Sequence, residues 1–183
     1  MILLKSLIEH IMAKSKNKNI VPLKNIDDLI NECNYSDFEY KTYFDLICKL
    51  IPNIEKEKLE IEIMDEQKCA ENGFVYVLVI EGKIFKIGQS INNIKNRIQS
   101  YNCGKTEYRI NGTNSTTNYF VLQSLLKINK EVFVYAFFPP KPHYEIFGQH
   151  FEDSHPPSKK AENIIIKKFI EKHGKKPIGC TQQ

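Results

Sequence analysis

The sequence predicts an α+β fold: a small central antiparallel or mixed β-sheet, made of a hairpin plus a third strand, flanked by helices, with a helical N-terminal extension. Three observations carry that reading. Phe74–Ile80 is an unbroken apolar, β-branched run, followed by Glu81-Gly82 and a second strand-like run, Lys83–Gly88. Two short strands around a Gly turn are a hairpin signature. Glu131–Phe138 (EVFVYAFF) is a third strand. The segments on either side carry apolar residues at helical rather than alternating spacing.

The chain has 183 residues and a mass of 21.4 kDa, the size of one domain with a small appendage. Met1–Met12 is apolar but interrupted by Lys5, Glu9 and His10, and shows no signal-peptide pattern. Asp27–Cys33 reads as a short helix behind an Asn25 cap. Ser36 with Glu39 forms a capping-box pattern ahead of Tyr40, Tyr43, Phe44, Ile47, Leu50 and Ile51 at helical spacing, and Pro52 would stop that helix. Leu59, Ile61 and Ile63 alternate with Glu60 and Glu62, a half-exposed strand. The pattern changes at Gly73, which divides the chain into a mostly helical extension over 1–72 and a second unit over 73–183. The Phe74–Ile80 strand is apolar on both faces and should be central.

Beyond the hairpin, Ser90 caps a helix whose Ile91, Ile94, Ile98 and Tyr101 form a buried stripe, with Arg97 at its border. Residues 102–117, rich in Asn, Gly, Thr and Ser, read as a loop, and Tyr119–Lys127 as a helix. Five prolines between 139 and 157 mark an irregular stretch. Lys159–His173 is the last helix, closed by Gly174 with Pro177 beyond.

Charge is unevenly distributed. Residues 1–72 hold ten Lys against fourteen acids, net −4, while residues 73–183 hold sixteen Lys and Arg against eight acids, net +8. The second unit therefore suits a polyanion, or simply presents a solvated lysine-rich face. Only two of the 26 basic residues are Arg, at 97 and 109, and an Arg in so lysine-rich a chain asks for a reason. The five cysteines are scattered with no C-x-x-C pair, which argues against a zinc site or a disulfide framework and for a cytoplasmic protein. No apolar run approaches the roughly 20 residues of a membrane span. His143, His150 and His155 cluster in the proline-rich stretch, either as a polar loop or lining a groove.

Phe74-Val75-Tyr76, with Lys86-Ile87-Gly88 beginning ten residues after the tyrosine, resembles the two-part motif of the GIY-YIG nucleases. The resemblance continues with Arg97 in the next helix and Glu162 in the last, covers about residues 73–175, and is greatest to the compact type II restriction endonucleases. Phe74 stands where the family has Gly, Lys86 where Tyr is usual, and Cys180 at the place of an Asn. The resemblance implies a double-stranded DNA substrate, one Mg²⁺ (or Mn²⁺) held by Glu162, and 5′-phosphate and 3′-hydroxyl ends. A short chain cutting both strands of a near-palindromic site would act most simply as a homodimer.

The chemistry of each residue suits that role. Phosphodiester hydrolysis needs a base for the attacking water, positive charge on the developing oxyanions and a cation at the leaving group. Tyr76 can be the base if a neighbouring cation such as Lys86 lowers its phenol from the ordinary value near 10. Arg97 can bind a phosphate oxygen and Glu162 a hard cation. Gln89 can touch the nucleophile or a phosphate, or be a turn residue, and Tyr101 packs under Arg97. Arg109, Asn111 and Asn114 sit in a polar stretch suited to base contacts or to a plain connector, and His143 is a further DNA-contact candidate. A repair or homing-type nuclease, or a module that binds nucleic acid without cutting, are the alternatives. One geometric demand follows. A plain two-residue turn at Glu81-Gly82 would put Val77, not Tyr76, on the face of Lys86, so a three-residue loop or a bulge around residues 81–83 is expected.

Overall fold

The run of seven apolar residues becomes the interior of a sheet. In the computed structural model, which describes residues 32–53, 55–56, 58–104, 114–127 and 129–180, strand β3 (Phe74–Ile80) is buried along its whole length. It lies between β4 (Lys83–Ser90) and β5 (Val132–Phe137). Strands β1 (Asp45–Asn53) and β2 (Lys58–Ile63) extend the sheet on the other side of β5, giving an antiparallel order β2-β1-β5-β3-β4. The helices are α1 (Glu66–Ala70), α2 (Ile94–Tyr101), α3 (Asn114–Lys127) and α4 (Ser158–His173). The α+β class is as expected.

Each face of β3 builds its own core. Tyr76, Leu78 and Ile80 meet Ile94, Ile98 and Tyr101 of α2 and Leu122 and Leu125 of α3. Val75, Val77 and Val79 meet Ile165 and Phe169 of α4, together with Phe38 and Phe44. Near-continuous apolarity in β3 is thus explained by helices above and below.

The helix expected from Ser36 to Ile51 is not formed. Short 3₁₀ turns at Tyr35–Asp37 and Lys41–Tyr43 are followed by β1, so β-strands of the sheet run through the segment read as a helical extension. The ladders to β2 and β5 outweigh local helical spacing here, as tertiary context can. Pro52 is accommodated because β5 pairs with β1 only as far as Lys49, and its missing N–H removes no bond on that side. Of the proposed Asp27–Cys33 helix, residues 27–31 lie outside the described residues. The boundary at residue 73 does not part the sheet.

Other local readings shift. Ser90 ends β4, and Asn93 caps α2 instead, its Oδ1 accepting from Asn96 N–H at 2.9 Å. Ile91 is accordingly exposed. The helix expected at Tyr119 begins at Asn114. Within the stretch read as irregular, β6 (His143–Ile146) and β7 (Gln149–Glu152) form a separate ribbon around Phe147-Gly148, both at positive φ. Helix α4 closes at Gly174, φ 72°, as read from the sequence.

The hairpin satisfies its geometric demand in an unexpected place. The turn is the plain two-residue Glu81-Gly82, with φ 49° and 76°. The register then shifts: Val79 pairs with Ile84, but Leu78 pairs with Lys86, leaving Phe85 as an extra residue. That bulge puts Lys86 on the face of Leu78, and therefore of Tyr76 and its partner Gly88. Strand β4 is the sheet edge beyond the hairpin, and chain from both directions covers it. Ile84 N–H donates to Cys33 C=O at 2.9 Å, Tyr35 N–H donates to Gly82 C=O at 2.8 Å, and the 3₁₀ turn Ile178–Cys180 packs farther along.

At the opposite edge a buried Asn does similar work. Asn102 Oδ1 accepts from Leu59 N–H at 2.7 Å, and its Nδ2 donates to Leu59 C=O at 3.0 Å. Asn102→Ala leaves both backbone groups of β2 without that partner. It should lower unfolding free energy by about 2–4 kcal/mol in urea titrations.

Candidate active site

Strand β3 turns the Tyr76 side chain toward α2, where Arg97 and Tyr101 stand one turn apart on the same helical face. Arg97 donates to the Tyr76 hydroxyl from Nε at 3.1 Å and from Nη2 at 2.8 Å. The Tyr76 and Tyr101 hydroxyls share a bond of 2.6 Å. The guanidinium carbon lies 5.4 Å and 4.9 Å from the centroids of the two rings, and Nη1 donates to Ser100 Oγ at 3.3 Å. Among the described residues these bonds take up three of the five guanidinium N–H groups. Lys has neither the fork nor the reach to do all of this, which accounts for one of the two arginines.

Gly88 is required by the same packing. A Cβ there would stand 2.5 Å from Tyr76 Cζ and from its hydroxyl oxygen, so only Gly lets the ring lie across β4. Both phenols are fully buried. Burial pushes Tyr76 above its ordinary value, outweighing the downward pull of Arg97, and does the same to Tyr101. The cation in contact with Tyr76 is thus Arg97, where the sequence reading had assigned that field to Lys86.

Lys86 is held from the other side. Its Nζ donates to Gly179 C=O at 2.8 Å. Burial lowers its pKa, Arg97 acts in the same direction, and Cys180 and Glu162 oppose them. Glu162, in the second turn of α4, is buried to 8 % residue exposure and accepts from Lys159 Nζ at 2.6 Å. Ser158 Oγ donates to Gln89 Oε1 at 3.2 Å, tying the start of α4 to the end of β4. The edge of the sheet therefore gathers a phenol, a guanidinium, an ammonium and a carboxylate from β3, α2, β4 and α4.

The remaining candidates divide. Arg109 and Asn111 lie outside the described residues. Asn114 opens α3, and its side chain is likewise not described. His143 sits exposed on the β6–β7 ribbon, 3.8 Å from Glu152, and His150 lies 4.0 Å from Glu145 on the same ribbon. Lys159 and Gly179 touch the site without having been singled out for it, and Cys180, read as standing at the place of the family's Asn, bonds the backbone of Ile87 beside Lys86. Lys159 was legible as a Lys three residues ahead of Glu162, whereas a backbone carbonyl such as that of Gly179 has no sequence signal.

No protein-family model matches the chain, and neither does any curated protein. Solved structures do. A point mutant of bacteriophage T4 EndoII superposes with a TM-score of 0.55 at 17% identity, over 71% of this chain and 91% of that one, so the fold is one that this endonuclease also has. The restriction endonuclease HPY188I, solved in complex with product DNA, matches at 62% identity over 92% of this chain and 98% of that one, with a TM-score of 0.63. The chain belongs to the restriction endonuclease family of HPY188I.

Two outcomes test this packing. Gly88→Ala should displace the Tyr76 ring and abolish activity together with at least about 1–3 kcal/mol of stability, read by thermal and urea unfolding. Because both buried phenols have raised pKa values, their contribution to stability is present below the ordinary value near 10 and is lost as pH rises toward the folded-state values. Unfolding free energy should therefore fall above about pH 10, and Tyr76→Phe with Tyr101→Phe should flatten that slope.

Proposed function

We propose that the protein is a type II restriction endonuclease of the GIY-YIG kind, cutting double-stranded DNA by hydrolysis at the edge of β4. One observation carries the reading of the site: a fully buried tyrosine oxygen that accepts twice from an arginine. Membership in the family of HPY188I, a restriction endonuclease solved with product DNA, supports the substrate class.

In this reading Tyr76 is the general base. Its phenol is protonated in the free enzyme and must first give that proton to solvent; Arg97 and Tyr101 are the donors that stabilise the resulting phenolate, which then takes a proton from the attacking water. The remaining N–H groups of Arg97 bind a non-bridging phosphate oxygen, so approach of the phosphate and release of the phenol act on one guanidinium. Lys86 adds positive charge on the same face and orients the water through its remaining donors.

Glu162 would hold the divalent cation. The donor set fits Mg²⁺ or Mn²⁺: a nearly buried carboxylate, with no cluster of three or more His, Cys, Asp or Glu among the described residues. A hard ion that keeps several waters needs only one or two protein carboxylates. The chemistry such an ion would supply there is positive charge for the leaving oxygen. Lys159 donates to one carboxylate oxygen of Glu162, which leaves the other oxygen for the cation.

Residues 1–72 carry a net charge of −4 and make a poor phosphate surface, so beyond supplying β1 and β2 to the sheet this part would support a homodimer or extend the clamp around DNA without being its primary contact. No described helix is long and apolar enough to cross a membrane, and we place the activity in the cytoplasm.

Plasmid incubated with the protein and Mg²⁺ should yield discrete fragments. A smear or lesion-dependent nicking would favour a repair enzyme, and intact DNA with a gel shift a binding module. Tyr76→Phe should lower kcat by roughly 10²–10⁴-fold. Glu162→Ala should stop cleavage while leaving the gel shift intact, and retained cutting by that variant would remove Glu162 from the metal.

A further inference from the structure

Strand β4 carries Lys86 on a bulge at the edge of the sheet, a poor place from which to aim an ammonium. The Phe85 bulge interrupts the ladder, and beyond it one side of β4 has no neighbouring strand. Backbone groups there need other partners. The Ile178–Cys180 turn supplies them. Ile87 N–H donates to Cys180 Sγ at 3.3 Å, and the thiol donates back to Ile87 C=O at 3.0 Å. One side chain thus satisfies both outward groups of the residue next to Lys86. One position earlier, the Gly179 carbonyl receives Lys86 Nζ.

The fit leaves no room for alternatives at Gly179. A Cβ there would stand 2.9 Å from Phe85 Cε1, 2.9 Å from Phe85 O and 3.0 Å from Lys86 Cβ. Burial raises the Cys180 pKa, so the thiol keeps the proton it donates.

We propose that the Gly179-Cys180 pair is a positioning element for Lys86: the thiol clamps the backbone of Ile87 and the carbonyl fixes the ammonium, so that β4 presents Lys86 to the attacking water in one orientation. The proposal rests on the reading of Lys86 given above and deepens it. Cys180 acts through Lys86 and touches no reacting atom. A thiol suits the task because it both donates and accepts, and its length lets one sulfur reach two groups of the same residue.

The test is a double-mutant cycle on DNA cleavage with Mg²⁺, with parent and variants first matched for thermal unfolding. Cys180→Ser keeps a donor and an acceptor and should cleave within a few-fold of the parent. Cys180→Val keeps the bulk but neither group, and should lose roughly tenfold in kcat, as expected for two weak hydrogen bonds, with KM for DNA unchanged. In a Lys86→Met background, Cys180→Val should cost nothing further, because the group it serves is gone. If the valine variant does not fold, Cys180→Ala takes its place in the same cycle. Parental kcat in both apolar variants, or losses that add to that of Lys86→Met, overturn the proposal alone. Parental cleavage by Lys86→Met overturns the assigned role of Lys86 and the proposal with it.

Discussion

The contact between Arg97 and the Tyr76 oxygen sets the terms for everything around it. A phenol with no solvent exposure and an always-charged guanidinium are each costly to bury alone. Together with Tyr101 they satisfy one another, and the two rings offer the cation their faces as well. The demand then spreads outward. The Tyr76 ring needs Gly88 opposite it, α2 must present positions 97 and 101 toward β3, and the Asn93 cap fixes where that helix starts.

Chemically, the arrangement suits the proposed role of Tyr76 as a base. Burial keeps the Tyr76 proton on, while the same surroundings contain the donors a phenolate requires. Lys86 is in the complementary position, with burial pulling its pKa down and the Glu162 carboxylate opposing that pull. Groups pushed from their ordinary ranges in opposite directions along one sheet edge are a common mark of catalytic sites.

The candidate site residues Tyr76, Lys86, Arg97 and Glu162 were named through the resemblance to the GIY-YIG motif, and the strong patterning of β3, β4, α2 and α4 gave each its element. The same patterns placed Tyr76 and Lys86 on opposite faces of a regular hairpin, so a bulge was required before its position was known. Its place at Phe85, beyond the turn, depends on how β4 packs, and no Gly or Pro marks it. Residues 36–51 misled because Tyr40, Phe44, Ile47 and Ile51 suit a helix stripe as well as an aromatic turn leading into a strand. What decided between them was pairing with Tyr135, Val134 and Phe133, nearly ninety positions downstream. The Asn102 clamp and the Gly179 carbonyl were invisible because their partners are backbone groups of distant segments.

That distance gives the β4 edge a temporal character. The hairpin itself joins near neighbours and can form early, but the bond between Lys86 and Gly179 spans 93 positions. Non-local closures of this kind come late in folding, after loop entropy has been overcome. The turn that makes this bond is a single 3₁₀ turn held by a few bonds, so it is also among the pieces easiest to release. Lys86 can then lose its aim while β3, β4 and β5 stay paired.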